Sequence, residues 1–141
     1  MITSDDFITN QEWLTNAVAG TDLILRGTSA LELHNLFDGY YGEKTIEVYS
    51  TKPLESENIE CCILESRDSI KFTKIAGVYC TTVSQTINDM LRSVRVDLQA
   101  LYTALSNYFF SNNMSYDGLE IESDNLERFN EISEDAKSFY G

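Results

Sequence analysis

The sequence predicts an α/β (α+β) fold, in which a mixed sheet of four or five strands is flanked by helices and followed by an all-helical C-terminal third. Two short apolar segments, residues 23–25 and 77–80, each lead through hydroxyl-bearing residues into an amphipathic helical pattern. Further strand patterns lie between them, and beyond Asp97 apolar residues recur only at helical spacing. A length of 141 residues without an internal repeat favours one domain spanning residues 1–141.

The first helix is expected over residues 9–19, because Thr9 is suited to cap its first turn and Gly20 to end it. Its apolar stripe consists of Trp13, Leu14, Ala17 and Val18. Residues 23–25 form the first strand. The second helix is expected to begin with a capping box, Ser29-Ala-Leu-Glu32, and to end at Asp38-Gly39. Its residues at helical spacing are Ala30, Leu33, His34 and Phe37.

Three strands are expected before the second strand–helix unit. Residues 45–50 alternate, with Ile46 and Val48 on one face and Glu47 and Tyr49 on the other, which is typical of a half-exposed strand. Residues 59–64 are continuously apolar enough to lie inside a sheet, and residues 69–75 alternate again.

A second capping box, Thr82-Val-Ser-Gln85, follows the strand at residues 77–80. The helix it opens buries Val83, Ile87, Met90 and Leu91. Asp97 is expected to cap the next helix, whose outward face carries no charge and should therefore be covered on more than one side. The last helix, residues 124–140, is apolar on one face and acidic on the other.

The formal net charge is −13, from 23 acidic and 10 basic side chains. Such a chain repels phosphate backbones, so direct nucleic-acid binding is disfavoured, whereas a basic partner would be attracted. No apolar run approaches the roughly 18 residues that span a bilayer, and the first six residues carry two acids and no base, unlike a secretory leader. We therefore expect a cytoplasmic protein without membrane contact. The cysteines, expected as buried reduced thiols, are Cys61, Cys62 and Cys80.

No complete catalytic set is evident, so the chain is predicted not to be an enzyme and to need no cofactor. His34 is the single histidine, and its place between leucines predicts a packed side chain with one hydrogen bond. Zinc is disfavoured because the adjacent Cys61 and Cys62 point to opposite strand faces. No phosphate-binding glycine motif is present. No catalytic, cofactor-binding or metal residue is assigned.

The sequence leaves one enzymatic alternative open. Acids on neighbouring strands, Glu47 and Glu60, could hold magnesium for phosphodiester cleavage. Such a site also needs a lysine near the carboxylates, and no lysine follows either acid by two residues. Lys71 or Lys74 could approach only through sheet pairing. Solvent-facing acids on strands are the preferred interpretation.

Two stretches resemble a known family. The string Leu25-Arg-Gly-Thr-Ser-Ala-Leu-Glu-Leu-His-Asn-Leu36 is similar to the glycine-x-serine-alanine-leucine-x-leucine-histidine-glycine-leucine stretch of AbiEi-type proteins, with Asn35 where that family commonly has glycine. The segment Gln85-Thr-Ile-Asn-Asp-Met-Leu91 resembles the family's arginine-threonine-leucine-x-aspartate-leucine-leucine helix, with glutamine in place of arginine. AbiEi-type proteins are antitoxins and transcriptional regulators of type IV toxin–antitoxin, abortive-infection systems. The resemblance covers about residues 23–110.

The resemblance implies an antitoxin-like, non-catalytic protein of phage defence that counteracts a nucleotidyltransferase-like toxin. In that family, antitoxin and toxin are not expected to form a stable complex. The family usually carries an N-terminal winged helix. Only about twenty-two residues precede the first matching strand, and this acidic segment is too short for a winged helix, so only the C-terminal domain is resembled. The alternative function is an acidic interaction module that binds a basic partner or mimics nucleic acid. The acidic face of the last helix is explained equally well by a solvated surface and by docking to a positively charged partner.

Overall fold

A computed structural model describes residues 10–39 and 45–138 of the chain. These residues form five strands and five α-helices: four strands follow one another after α2, and three helices complete the described chain. This confirms the predicted α+β class with a mixed sheet. The elements are α1 (Asn10–Val18), β1 (Ile24–Leu25), α2 (Gly27–Leu33), β2 (Ile46–Ser50), β3 (Ile59–Ile63), β4 (Phe72–Ile75), β5 (Val78–Thr81), α3 (Val83–Arg92), α4 (Leu98–Ser111) and α5 (Leu126–Lys137).

The sheet has the strand order β3-β2-β1-β5-β4. The two-residue strand β1 lies at its centre and runs antiparallel to β2 and parallel to β5. The outer pairs differ, since β2 and β3 are parallel whereas β4 and β5 form an antiparallel hairpin. The two strand–helix units of the sequence, β1–α2 and β5–α3, are therefore neighbours in the centre of the fold.

Two apolar cores share one helix. The first core joins α1 and α2 to one face of the sheet, and Ala30 and Leu33 of α2 belong to it. The second core lies among the helices, where Leu31 of α2 packs with residues of α3, α4 and α5. Because both cores exclude water from α2, six of its seven residues are buried.

The predicted capping box at Ser29 and Glu32 is wrong. Helix α2 begins two residues earlier, at Gly27, and both Ser29 and Glu32 lie buried inside it. The Ser29 hydroxyl instead accepts a hydrogen bond from the Glu47 amide of β2, at 3.0 Å. A side chain from another strand, Glu47, caps the helix in its place, so a tertiary contact replaces the local one.

The predicted end of this helix at Asp38-Gly39 is also wrong, because α2 ends at Leu33. Asn35 has a φ of 66°. Its amide bonds the Glu32 carbonyl and the Leu36 amide bonds the Leu31 carbonyl, which is the Schellman arrangement of a helix end. Leu36 and Phe37 remain buried beyond the turn.

The second capping box is half present. Thr82 caps α3 by accepting from the Gln85 amide at 3.1 Å, as predicted. The Gln85 side chain does not turn back to Thr82; it donates to Asp89 and accepts from the Lys71 amide. The predicted cap at Asp97 is confirmed, since its carboxylate accepts from the Ala100 amide at 3.0 Å.

Other expectations need smaller corrections. The strand predicted over residues 69–75 is divided into a 3-10 turn, Arg67–Ser69, and β4. Tyr49 is buried, not half exposed, whereas Trp13, Ala17, Cys62 and Leu126 are exposed. The last helix is shorter than predicted, and its predicted residues 139 and 140, like the Thr9 cap, lie outside the described residues. None of the helices in residues 10–39 and 45–138 is long and apolar enough to cross a lipid bilayer.

Burial at the centre of the sheet predicts a loss of stability at high pH. Cys80 is fully buried, and burial raises the pKa of its thiol from 9.0 to about 12. The unfolded thiol ionises first, so the stability from its burial is complete below pH 9 and is lost as the pH rises toward 12. Between pH 8.5 and 11, the free energy of unfolding of Cys80→Ala should therefore fall by less than that of the natural chain. Urea denaturation at each pH measures this difference.

The matched control is Val78→Ala, a buried truncation on the same strand without a titratable group. It should lower the free energy of unfolding by a similar amount at every pH and keep the natural pH slope. An unchanged slope in Cys80→Ala would contradict the prediction.

Candidate functional site

A cleft lies where the start of α2, the starts of β2 and β3, and the α3–α4 connection meet, and its volume is about 540 Å³. Five carboxylates and two guanidinium groups line it, together with the hydroxyls of Thr28 and Thr45. The charged residues are Glu32, Glu47, Glu60, Asp89, Asp97, Arg26 and Arg95. The charged groups of the cleft thus carry an acidic excess.

Glu47 has a structural task at the edge of this cleft. Its carboxylate accepts from the backbone amide of Thr28 at 2.8 Å and from the Thr28 hydroxyl at 2.5 Å. An anion there satisfies a free amide of the first turn of α2. Gly27 makes this approach possible, because a Cβ at that position would lie 2.7 Å from the nearest carboxylate oxygen of Glu47.

Arg26 extends from the end of β1 into the same group. Its guanidinium lies 4.7 Å from the centre of the Tyr49 ring and 3.6 Å from a Glu47 oxygen. Stacking on an aromatic ring and pairing with a carboxylate both hold its plane in place. Its Nε atom is buried and finds no hydrogen-bond partner among the described residues.

Tyr49 and Asp89 connect this group to the helices. The Tyr49 hydroxyl donates to a buried oxygen of Asp89 at 2.8 Å. The other oxygen of Asp89 accepts from Gln85 at 2.8 Å and from Arg92 at 2.6 Å, and Arg92 also pairs with Glu122. Burial, followed by the bond to Asp89, raises the pKa of Tyr49 to about 12, so the phenol stays protonated and donates.

The structure brings Glu47 and Glu60 together, since they are register partners on the parallel strands β2 and β3. Glu60 is exposed and has no bonded side-chain partner in the described residues, whereas Glu47 is engaged by α2. Lys71 and Lys74 belong to the β4 side, at the far edge of the sheet, where Lys71 pairs with Glu120 at 3.6 Å. Within residues 10–39 and 45–138, no group of three or more metal-binding side chains is gathered.

His34 makes the hydrogen bond expected of it. Its Nε2 donates to the Thr81 carbonyl at 2.7 Å, because a carbonyl oxygen only accepts. The Cys80 sulfur lies 3.6 Å from the same nitrogen. Since Nε2 carries its proton toward Thr81, it has no free lone pair to take the proton of the buried Cys80 thiol, and the pair lacks the arrangement of a cysteine nucleophile with its base.

Sequence reasoning missed Arg26, Tyr49 and Asp89 as one connected group. They come from three different elements, and no spacing along the chain relates them. Helical spacing places Asp89 on the side of α3 away from the apolar stripe of Ile87 and Met90, so the sequence alone predicts a solvent-facing carboxylate there. Its burial follows only from the packing of the fold.

The protein thus has an α+β fold, and the polar side chains at its cleft, such as Glu47, Tyr49 and Asp89, are bonded to other groups of the chain. Comparison with known proteins adds no relative, because no protein family, curated protein or solved structure matches the chain.

Proposed function

We propose that this chain is a non-catalytic, antitoxin-like cytoplasmic protein of the type IV toxin–antitoxin kind, which counteracts a nucleotidyltransferase-like toxin. The observation that supports the proposal most directly is the placement of the two family-like stretches. They form the adjacent units β1–α2 and β5–α3, whose strands pair in parallel with Leu25 opposite Cys80. Residues that are distant in the sequence thus build one continuous centre of the fold.

The helix end at Asn35 supports the resemblance on conformational grounds. Asn35 has a φ of 66° and stands where the family commonly has glycine. Glycine adopts this left-handed conformation without strain, and asparagine tolerates it better than most other residues. Asparagine and glycine are therefore both compatible with the backbone turn that this chain makes at position 35.

The non-catalytic part of the proposal rests on how the reactive groups are used. Glu47 caps α2, and His34 bonds a backbone carbonyl. Asp89 accepts three hydrogen bonds from side chains. Groups committed in this way position helices, and none of them is free to act as a general base.

A growth experiment tests the proposal. The nucleotidyltransferase-like gene nearest to the gene of this chain is induced in a host cell, with and without the full chain. We expect growth arrest by the induced gene alone and recovery with this chain, without stable co-purification. A catalytically dead toxin is the control, because it should leave growth unchanged in both cases. Arrest that persists when the chain is present at normal levels would refute the proposal.

A second candidate function is an acidic module that binds a basic partner, and the cleft composition favours it. Five carboxylates face two guanidinium groups there, and Glu60 is exposed and unpaired in the described residues. Binding of an oligo-arginine peptide should weaken steeply between about 0.05 M and about 0.5 M salt, because exposed charges are screened within about 10 Å at 0.1 M. Binding that is unaffected by salt would exclude this candidate.

A further inference from the structure

The two edges of the sheet are protected very differently. Strand β4 has four residues, and Lys71 and Lys74 lie at its start and within it. Such lysines discourage pairing with a further strand. Strand β3, Ile59–Ile63, contains no lysine, arginine or proline, and its single charged residue is Glu60. The β3 edge therefore lacks the usual protection.

The outward backbone groups of β3 follow from its pairing with β2. The Asn58 carbonyl accepts from Ile46 and the Leu64 amide donates to Ser50, so even-numbered residues bond toward β2. Odd-numbered residues point outward, and the Ile59 amide is already bonded to the Ser56 carbonyl. The amides and carbonyls of Cys61 and Ile63 have no backbone partner among the described residues.

The side chains of this edge are also unusual for a solvent boundary. Ile63 is 59% exposed, although Ile59 and Cys61 on the same face pack against the core beneath the sheet. Cys62 points to the opposite face and is exposed. Covering Ile63 would extend the existing apolar row instead of creating a separate patch.

We infer that β3 pairs with β3 of a second copy of this chain, antiparallel and centred on Cys62. In this register the unbonded backbone amide and carbonyl of Cys61 in one copy bond those of Ile63 in the other copy. The two Cys62 residues lie opposite each other. A register centred on Cys61 would instead require the Ile59 amide, which is already bonded to Ser56. The two five-stranded sheets join into one of ten strands, and no edge strand of the β3 type remains exposed.

The self-pairing is chemically consistent along its length. Ile63 of one copy lies opposite Cys61 of the other, and the two Cys62 thiols lie opposite each other. Glu60 lies opposite Leu64 of the second copy, so the two Glu60 carboxylates stay well apart. Each copy carries a net charge of −13, so the copies repel at low salt. The dimer should therefore tighten several-fold as salt rises from about 0.05 M to about 0.5 M, opposite to the binding of a basic partner.

Sedimentation of the full chain over a wide concentration range tests the inference. We expect a monomer–dimer equilibrium for the natural chain and monomer for Ile63→Lys, which places a charge on the paired edge. Phe110→Lys is the matched control, because Phe110 is a similarly exposed apolar residue on α4, outside the sheet, and its substitution should leave dimerisation unchanged. A natural chain that stays monomeric, or a dimer that survives Ile63→Lys, would overturn the inference.

Cross-linking gives a second measurement, in which Ile63 is left unchanged. Paired residues of the non-hydrogen-bonded kind have Cα atoms about 4.5 Å apart, within the range of a disulfide. In the variant Cys61→Ser, the oxidant diamide should join two copies by a disulfide between their Cys62 residues. The two thiols lose two protons and two electrons to diamide, a diazene, which is reduced to a hydrazine. Cys62→Ser should cross-link at least tenfold more slowly. Equal rates would overturn the inference, and neither result bears on the growth experiment.

Discussion

Asp89→Ala should lower the free energy of unfolding by about 3 kcal/mol, the largest loss that we expect from a single substitution in this chain. The Asp89 side chain is 3% exposed and accepts from Tyr49, Gln85 and Arg92. Alanine leaves the buried Tyr49 hydroxyl without an acceptor and removes the joint between β2 and α3. Because Arg92 is 44% exposed, water replaces part of its lost pairing, and most of the effect comes from the buried groups.

Urea denaturation at neutral pH measures this loss, and two variants separate its causes. Tyr49→Phe removes one donor while Asp89 keeps the other two, so it should cost only about 1 kcal/mol. Glu131→Ala, an exposed acid on α5, should stay within about 0.5 kcal/mol of the natural chain. A loss in Asp89→Ala no greater than in Glu131→Ala would show that the buried network does not stabilise the fold.

Gly27→Ala should lower the free energy of unfolding by about 2–3 kcal/mol. Gly27 has a φ of 56°, a conformation that costs an L-residue about 1–2 kcal/mol. Its new methyl group would also lie 2.7 Å from Glu47 Oε1 and displace the carboxylate that caps α2. Loss of a helix cap adds about 1 kcal/mol.

The structure offers a matched control for the backbone part of this effect. Gly20 has a φ of 75°, and an added Cβ there would meet no atom within 4 Å. Gly20→Ala should therefore show the conformational cost alone, about 1 kcal/mol. In Gly27→Ala/Glu47→Ala the crowding is relieved, so the double variant should be more stable than the sum of the two single losses predicts. Additive losses would contradict the proposed contact.

The sequence was informative where structure is decided locally. Alternation and short apolar runs predicted the strands, and a period of 3.6 residues predicted the helices. The caps at Thr82 and Asp97 depend on the next three residues alone. The apolar run at residues 59–64 was expected inside the sheet, which is wrong, because β3 lies at an edge. The predicted cap at Ser29 is wrong because a carboxylate of β2, nineteen residues beyond Thr28, occupies the helix start. Local patterns do not contain that contact.

The cleft was the least predictable part. Glu47 and Glu60 were recognised as acids on neighbouring strands, but their register depends on the pairing of β2 with β3. Arg26, Tyr49 and Asp89 meet only after the strands take the order β3-β2-β1-β5-β4. A mixed sheet of five strands has many possible orders, and the hydrophobic pattern does not distinguish them.

Helix α2 has seven residues, yet it contributes side chains to both apolar cores. If α2 detaches from either apolar core, it also exposes apolar surface of the other core to solvent. We therefore expect the two cores to unfold in one cooperative transition, because melting of the short helix would remove contacts from both at once. The short helix α2 thereby couples the unfolding of the two cores.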